Sequence, residues 1–293
     1  MSSEVSRKPI IIFDTSGINN LADEKDFKAL AAGIRTAYHT RLTGSNIEEI
    51  AATTKPEDRG KLLDTCQLLL SSGDCIDPFN WIVEKHVKAF DQHPREYALN
   101  RINVLNPEIA KEIVERTFFD DQLARQSKQS AKESKQSFEN VFCSMRPGFD
   151  EIFASGTERP NTLAAFVSIL QKPGGAFWTG YAHKFYARNV GTNPEESKVR
   201  DFAGRCPPFL MMVMTAVKAQ YDRAIAEKPK GRKRAGRLDL LMSIYLPYCS
   251  VFVRHDDDQE ACLREMATVA DLEAEILAYR EFRSRLLGTG IAV

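Results

Sequence analysis

The chain has 293 residues, of which 43% are hydrophobic and 27% are charged, and its 40 basic and 40 acidic side chains leave no net charge. This composition is typical of a soluble globular protein with a sizeable core, and it excludes binding to nucleic acid or membranes through overall charge alone. We expect no signal peptide and no membrane-spanning helix, because every apolar run is too short. The six cysteines include no Cys-x-x-Cys pair, which favours reduced thiols in the cytoplasm over a zinc site or a disulfide framework.

The first strong pattern is a short apolar run that ends in an aspartate. Residues 10–13 are four apolar residues, three of them β-branched, and Asp14 follows them in a Thr-Ser-Gly turn. An apolar run bounded by turn residues predicts a buried strand. Ligands of open α/β sheets bind beyond the carboxyl ends of the strands, so Asp14 is a candidate functional residue.

Helices and a second strand are predicted in the rest of the first 78 residues. Apolar residues recur at helical spacing in 18–38 and again in 56–70, and a polar turn is predicted at 40–46. Residues 75–76 predict a short second strand. The predicted order is β-α-α-α-β, which is the start of a parallel sheet.

A short helix after the polar turn brings two glutamates into consideration. Ser45 or Asn46 is its candidate N-cap, and Glu48 and Glu49 then lie near the first turn. Both carboxylates are also explained by the helix dipole alone. The residues alone leave both glutamates as candidates.

The middle of the chain is predicted to be helical and ends in a basic stretch. Residues 79–235 show helical spacing without a comparable strand pattern. Residues 228–237 contain six basic side chains and no acidic one. Such a stretch is often only an exposed loop, but its place just before Asp239 suits it to bind a phosphate backbone. We predict a discontinuous core, 1–78 and 236–293, with an all-helical insertion at 79–235.

The last part of the chain repeats the strand-then-acid pattern. Residues 238–246 predict an apolar helix with Asp239 near its start, and 249–253 predict a strong strand. That strand leads into Arg254, His255 and the aspartates 256–258. Helices are predicted at 259–267 and 270–287.

Four acidic residues are therefore candidates for one metal site. Asp14 and Asp256 follow strands, whereas Glu49 and Asp239 lie near helix starts. Carboxylates gathered in one pocket repel each other unless a hard cation neutralises them, and Mg²⁺ or Mn²⁺ takes such oxygen ligands. A bound ion of this kind activates water and stabilises charge on a phosphodiester, so the cluster indicates metal-dependent hydrolysis.

At these residues the chain resembles the PIN-domain nucleases. The resemblance is carried by residues 10–16, by 47–50, by Asp239 and by 251–256 with Gln259, and it covers roughly 8–78 and 236–290. It implies an α/β fold with a short parallel sheet flanked by helices. It also implies a metal-dependent endoribonuclease that binds Mg²⁺ or Mn²⁺. The metal-binding residues would be Asp14, Glu49, Asp239 and Asp256, with Asp258 as an additional candidate.

The predicted partner is RNA. A toxin, defence or processing role all fit the resemblance, and a toxin would need an inhibitory protein partner. The candidate contacts to the RNA backbone are Ser16, Lys230, Arg232, Lys233, Arg234, Arg237 and Arg254.

Three features depart from the family pattern. The helical insertion is unusual in length, and Arg254 stands where a Thr or Ser hydroxyl is common. The run Asp256-Asp257-Asp258 makes the fourth ligand ambiguous. Two other functions therefore stay open: a PIN-like RNA-binding or interaction module with weak or no catalysis, and a DNA-directed nuclease or phosphatase on the same carboxylates.

Overall fold

The structure is a computed structural model. It describes residues 8–71, 73–99, 104–105, 160–170, 186–191, 193–224 and 237–288, together with single positions and pairs between 122 and 183. No helix in these described parts is long and apolar enough to cross a membrane.

A six-stranded sheet forms the centre of the fold, in the order β4-β3-β2-β1-β5-β6. Five of its strands are parallel, and only the edge strand β4 is antiparallel. The strands are β1 (Ile10–Phe13), β2 (His39–Thr43), β3 (Asp74–Ile76), β4 (Val104–Leu105), β5 (Val251–Arg254) and β6 (Glu275–Ala278). The prediction of an α/β fold with a parallel sheet is confirmed.

Helices cover both faces of this sheet. On one face pack α1 (Thr15–Asp23), α2 (Phe27–Ala37), α3 (Gly44–Ala51), α4 (Pro56–Leu70) and α11 (Tyr279–Gly288). On the other face pack α5 (Phe79–Gln92), α6 (Leu163–Leu170), α7 (Glu196–Arg205), α8 (Pro207–Ala224), α9 (Arg237–Leu241), a 3₁₀ helix (Met242–Tyr248) and α10 (Asp257–Val269).

Alternation along the strands explains why both faces are covered. Ile11 and Phe13 belong to the core on the α1 face, whereas Ile12 and Phe252 belong to the core on the α8 face. Parallel strands that are apolar on both sides need a helical layer on each side. Helices from within 79–235 share the second core with the sheet itself.

Four local predictions are wrong. The region 79–235 was expected to be all-helical, but it contains the edge strand β4, whose backbone conformation is determined by pairing with β3. Residues 39–43 form the strand β2, although a polar turn was expected, because β1 and β3 bind it on both sides and bury Leu42 and Thr43. The helix expected at 270–287 contains β6 in its first half, where pairing with β5 determines the backbone. The N-cap of α3 is Thr43, which exchanges hydrogen bonds with Asn46 in a capping box.

The parallel arrangement places five strand ends along one edge of the sheet. Asp14 follows β1, Gly44 follows β2, and Asp77 follows β3. Phe13 pairs with Val253, so Asp14 and Arg254 lie side by side at this edge. We call this side of the molecule the carboxyl edge.

Candidate functional site at the carboxyl edge

Asp14 is held rigidly where β1 passes into α1. Its backbone amide donates to the carbonyl of Val253 at 2.9 Å. Its carboxylate caps α1 by accepting a hydrogen bond from the amide of Gly17 at 2.7 Å, and the Ser16 hydroxyl lies 2.8 and 2.9 Å from its two oxygens. Only 5% of Asp14 is exposed. The protein's own hydrogen bonds therefore fix the orientation of the Asp14 carboxylate.

Burial makes the ionised form of Asp14 costly. Loss of hydration raises the pKa of Asp14 to about 6, and the negative charge of Glu49 acts in the same direction. The hydrogen bonds from Gly17 and Ser16 and the positive charge of Arg254 oppose this rise but do not cancel it. A cation bound at Asp14 would reduce the free-energy cost of keeping this buried carboxylate ionised.

Glu49 reaches this site from α3. The first residue of α3, Gly44, packs directly against Pro78, because a Cβ on Gly44 would fall 2.4 Å from the Pro78 ring. The Asn46 amide donates to the Thr15 hydroxyl at 3.2 Å, and Thr15 is hydrogen-bonded to the Glu49 carboxylate. Local burial and the charge of Asp239 raise the pKa of Glu49, although part of its surface stays exposed.

Asp239 completes a series of three interacting carboxylates. It lies in the first turn of α9 and is exposed. Its backbone carbonyl accepts a hydrogen bond from the Gln259 side chain at 2.9 Å, which joins α9 to α10. Three of the four predicted ligands are connected by pairwise electrostatic interactions, Asp14 with Glu49 and Glu49 with Asp239.

The fourth predicted ligand is placed differently. Asp256 caps α10 by accepting a hydrogen bond from the amide of Gln259 at 3.0 Å, and its side chain is 64% exposed. It forms a loose ion pair with Arg254, with 3.9 Å between Arg254 Nη2 and Asp256 Oδ1. Asp258 is half-buried in the first turn of α10.

Arg254 is an unusual neighbour for these groups. Its side chain is fully buried at the end of β5. None of its three guanidinium nitrogens has a hydrogen-bond partner in the described part of the chain. Burial lowers the pKa of Arg254, and the charges of Asp14 and Asp256 oppose that change. A buried guanidinium is not positioned to contact an RNA backbone directly.

The other predicted RNA contacts are only partly described. The Ser16 hydroxyl is committed to Asp14 and also accepts from the amide of His255 at 3.0 Å. Arg237 begins α9, but its side chain lies outside the described parts. The same holds for the whole of Lys230, Arg232, Lys233 and Arg234.

Sequence reasoning missed three residues at this edge. Asp77 follows β3 as Asp14 follows β1, is fully buried, and forms an ion pair with Lys85 at 2.5 Å. Trp81, in the first turn of α5, is 59% exposed, and the Lys85 ammonium lies 6.0 Å from the centre of its ring. The repeated strand-then-aspartate pattern was the signal for Asp77. No pattern in the sequence predicted that Trp81 would be exposed.

The donor chemistry of Asp14, Glu49 and Asp239 fits a hard divalent cation. All three supply carboxylate oxygens. Burial raises the pKa of Asp14 and of Glu49, and the charge of the neighbouring carboxylate adds a smaller rise to each. Within the described residues, no three His, Cys, Asp or Glu side chains are already close enough together to hold an ion. Binding would therefore require Glu49 and Asp239, which are exposed, to turn towards Asp14.

The chain matches no protein-family model, no curated protein and no solved structure.

Proposed function

We propose that the protein is a PIN-like, divalent-metal-dependent nuclease that hydrolyses RNA at the carboxyl edge. One observation carries this proposal above all: a buried aspartate at a strand end has its pKa raised to about 6 and interacts with Glu49, which interacts with Asp239. Strongly perturbed carboxyl groups that gather at the ligand-binding edge of an α/β sheet are typical of functional sites.

The chain's own residues would prepare the site in three ways. Gly17 and Ser16 orient Asp14, and the Asn46–Thr15 pair orients Glu49. Asp239 closes the site from α9. Mg²⁺ or Mn²⁺, held by these three carboxylates, would supply an activated water and stabilise negative charge on the phosphodiester.

Two features favour a single-stranded nucleic acid as the substrate. Trp81 offers an exposed aromatic face at the same edge, with the positive charge of Lys85 beside it. Stacking of bases on aromatic rings combined with phosphate attraction is the usual way in which single strands are bound without strict sequence preference. The basic stretch 228–237 also directly precedes Asp239 in the sequence.

The test is cleavage of a labelled single-stranded RNA by the purified chain with Mn²⁺. We expect cleavage by the wild type, loss of at least 100-fold in Asp14→Asn, and wild-type activity in Asp64→Asn. Asp64 is a suitable control because it is an exposed aspartate on α4. Equal cleavage by wild type and Asp14→Asn would refute the assigned site. Parallel reactions with single-stranded DNA and a small phosphate ester separate an RNA nuclease from a DNA nuclease or phosphatase.

A second function is favoured by Arg254. A permanent positive charge beside Asp14 competes with a metal ion for the same carboxylate. An RNA-binding module with weak or no catalysis is the outcome if that competition prevails. RNA binding by Asp14→Asn and wild type alike, without cleavage by either protein, would support this second function.

A further inference from the structure

The strand β6 lies at the outer edge of the sheet. Among the described strands it is the last on its side, and it pairs with β5. The amide of Glu275 donates to the carbonyl of Ser250 at 2.9 Å, so Glu275 and Leu277 direct their backbone groups towards β5. Ile276 and Ala278 therefore direct theirs away from the sheet. Outward backbone groups of this kind are a template on which another strand can pair.

The side chain of Arg264, on α10, covers this edge. Its Nε and Nη2 both donate to the carbonyl of Ile276, at 3.0 and 2.7 Å. These two nitrogens form one side of the planar guanidinium fork, which fixes the side chain over the oxygen. Arg264 therefore occupies the outward carbonyl that an added strand would use as its acceptor.

Ion pairs hold Arg264 in this place from both helical layers. Nη2 of Arg264 lies 2.8 Å from Oε1 of Glu260 on α10 and 3.6 Å from Oε2 of Glu281 on α11. Arg285 joins Glu281, at 2.7 Å, to Glu275 of β6, at 2.5 Å. Since α10 packs on one face of the sheet and α11 on the other, the contact between Arg264 and Glu281 passes around the outside of β6.

Stability alone is a poor explanation for this arrangement. The side chains of Arg264 and Arg285 are 50% and 49% exposed, and ion pairs so open to water contribute little to the free energy of unfolding. The strand that they surround is short and apolar, with Ile276 and Leu277 buried in the cores on opposite faces of the sheet. Without Arg264, β6 would be an apolar edge strand with open backbone groups, which is a site of association between chains.

We propose that Arg264 prevents β6 from pairing with the β6 strand of a second copy of this chain. A second copy fits this edge because two-fold, antiparallel pairing places the outward N–H and C=O groups of one β6 opposite the same groups of the other. Such strand addition needs the Ile276 carbonyl free, and in the structure that oxygen already accepts two hydrogen bonds from Arg264. The proposal is independent of the proposed nuclease function, because it concerns the outer edge of the sheet.

Sedimentation of the purified full chain over a range of concentrations tests the proposal. We expect Arg264→Met to self-associate at least about tenfold more tightly than the wild type, because it opens the Ile276 carbonyl. The matched control is Arg285→Met, since Arg285 is equally exposed and also pairs with Glu281, but its guanidinium contacts carboxylates. This control should stay within about threefold of the wild type. Equal self-association of the wild type and a folded Arg264→Met would overturn the proposal.

Hydrogen exchange of Arg264→Met at low and high protein concentration locates the contact. The protection gained on association should fall on residues 274–278, where the outward amides of Ile276 and Ala278 lie. Protection gained only elsewhere would overturn pairing through β6. If circular dichroism shows that Arg264→Met does not fold, Arg264→Gln decides by the same two measurements, since glutamine keeps a polar side chain on α10 but lacks the guanidinium fork.

Discussion

Asp14→Asn should make the metal-free protein more stable while it removes metal binding. At neutral pH the wild-type carboxylate is ionised in a place where only 5% of the residue is exposed. Asparagine removes that charge and keeps an oxygen that can accept the capping hydrogen bond from Gly17. The substitution therefore removes the cost of the buried charge and leaves the start of α1 intact.

The size of the effect follows from the pKa of Asp14. Its rise from 3.8 to about 6 means that ionisation costs roughly 3 kcal/mol of folding free energy above pH 7. The pKa of Asp14 is higher in the folded protein than in the unfolded chain. The wild type therefore has its full stability below pH 3.8, where Asp14 is protonated, and loses about this amount as the pH rises through about 6. The difference between variant and wild type should be near zero at pH 4 and largest above pH 7.

The assay is urea denaturation at pH 7.5, first with EDTA and then with Mn²⁺. With EDTA we expect Asp14→Asn to exceed the wild type by up to about 3 kcal/mol in the free energy of unfolding. Mn²⁺ should stabilise only the wild type, because a ligand stabilises the protein that binds it. The matched control is Asp256→Asn, since Asp256 caps α10 in the same way but is 64% exposed, and we expect a change of at most about 1 kcal/mol. An Asp14→Asn protein that is no more stable than wild type in EDTA would refute the reasoning.

Three further predictions concern other parts of the fold. His86 is buried against the hydroxyls of Tyr97 and Tyr248, and burial lowers its pKa to about 4. Neutral His86 therefore contributes to the free energy of unfolding above pH 6.5, and about 3 kcal/mol of this contribution is lost as the pH falls to 4. In His86→Gln the free energy of unfolding should change less steeply across this pH range. Trp81→Ala should weaken binding of single-stranded RNA about tenfold in a fluorescence titration, whereas Leu287→Ala, at another exposed large apolar residue, should not. Gly73→Ala should lower the free energy of unfolding by about 2 kcal/mol or more, because its Cβ would lie 2.1 Å from the Thr40 carbonyl oxygen. Gly204→Ala, in α7 with no atom near its Cβ, should instead raise it by up to about 1 kcal/mol; similar results for the two glycines would contradict the packing argument.

Local patterns predicted much of the sheet. The runs that became β1 and the first three residues of β5 are continuous and apolar, as expected for strands that are buried on both faces. β2 and β6 were missed for the opposite reason. His39, Thr40 and Arg41 have no apolar pattern, and residues 275–278 lie in a segment rich in alanine, leucine and glutamate. Pairing with neighbours distant in the chain decided both strands.

The sequence by itself determined which chemical groups stand at the strand ends. Asp14 and Asp256 both follow apolar strands, and in the structure both cap the helix that comes next. Only the tertiary structure distinguished them. The carboxyl edge buries Asp14 beside Glu49, whereas it leaves Asp256 exposed beside a buried Arg254. Burial and charge environment depend on residues more than two hundred positions apart, so no local pattern could separate a candidate metal ligand from a helix cap.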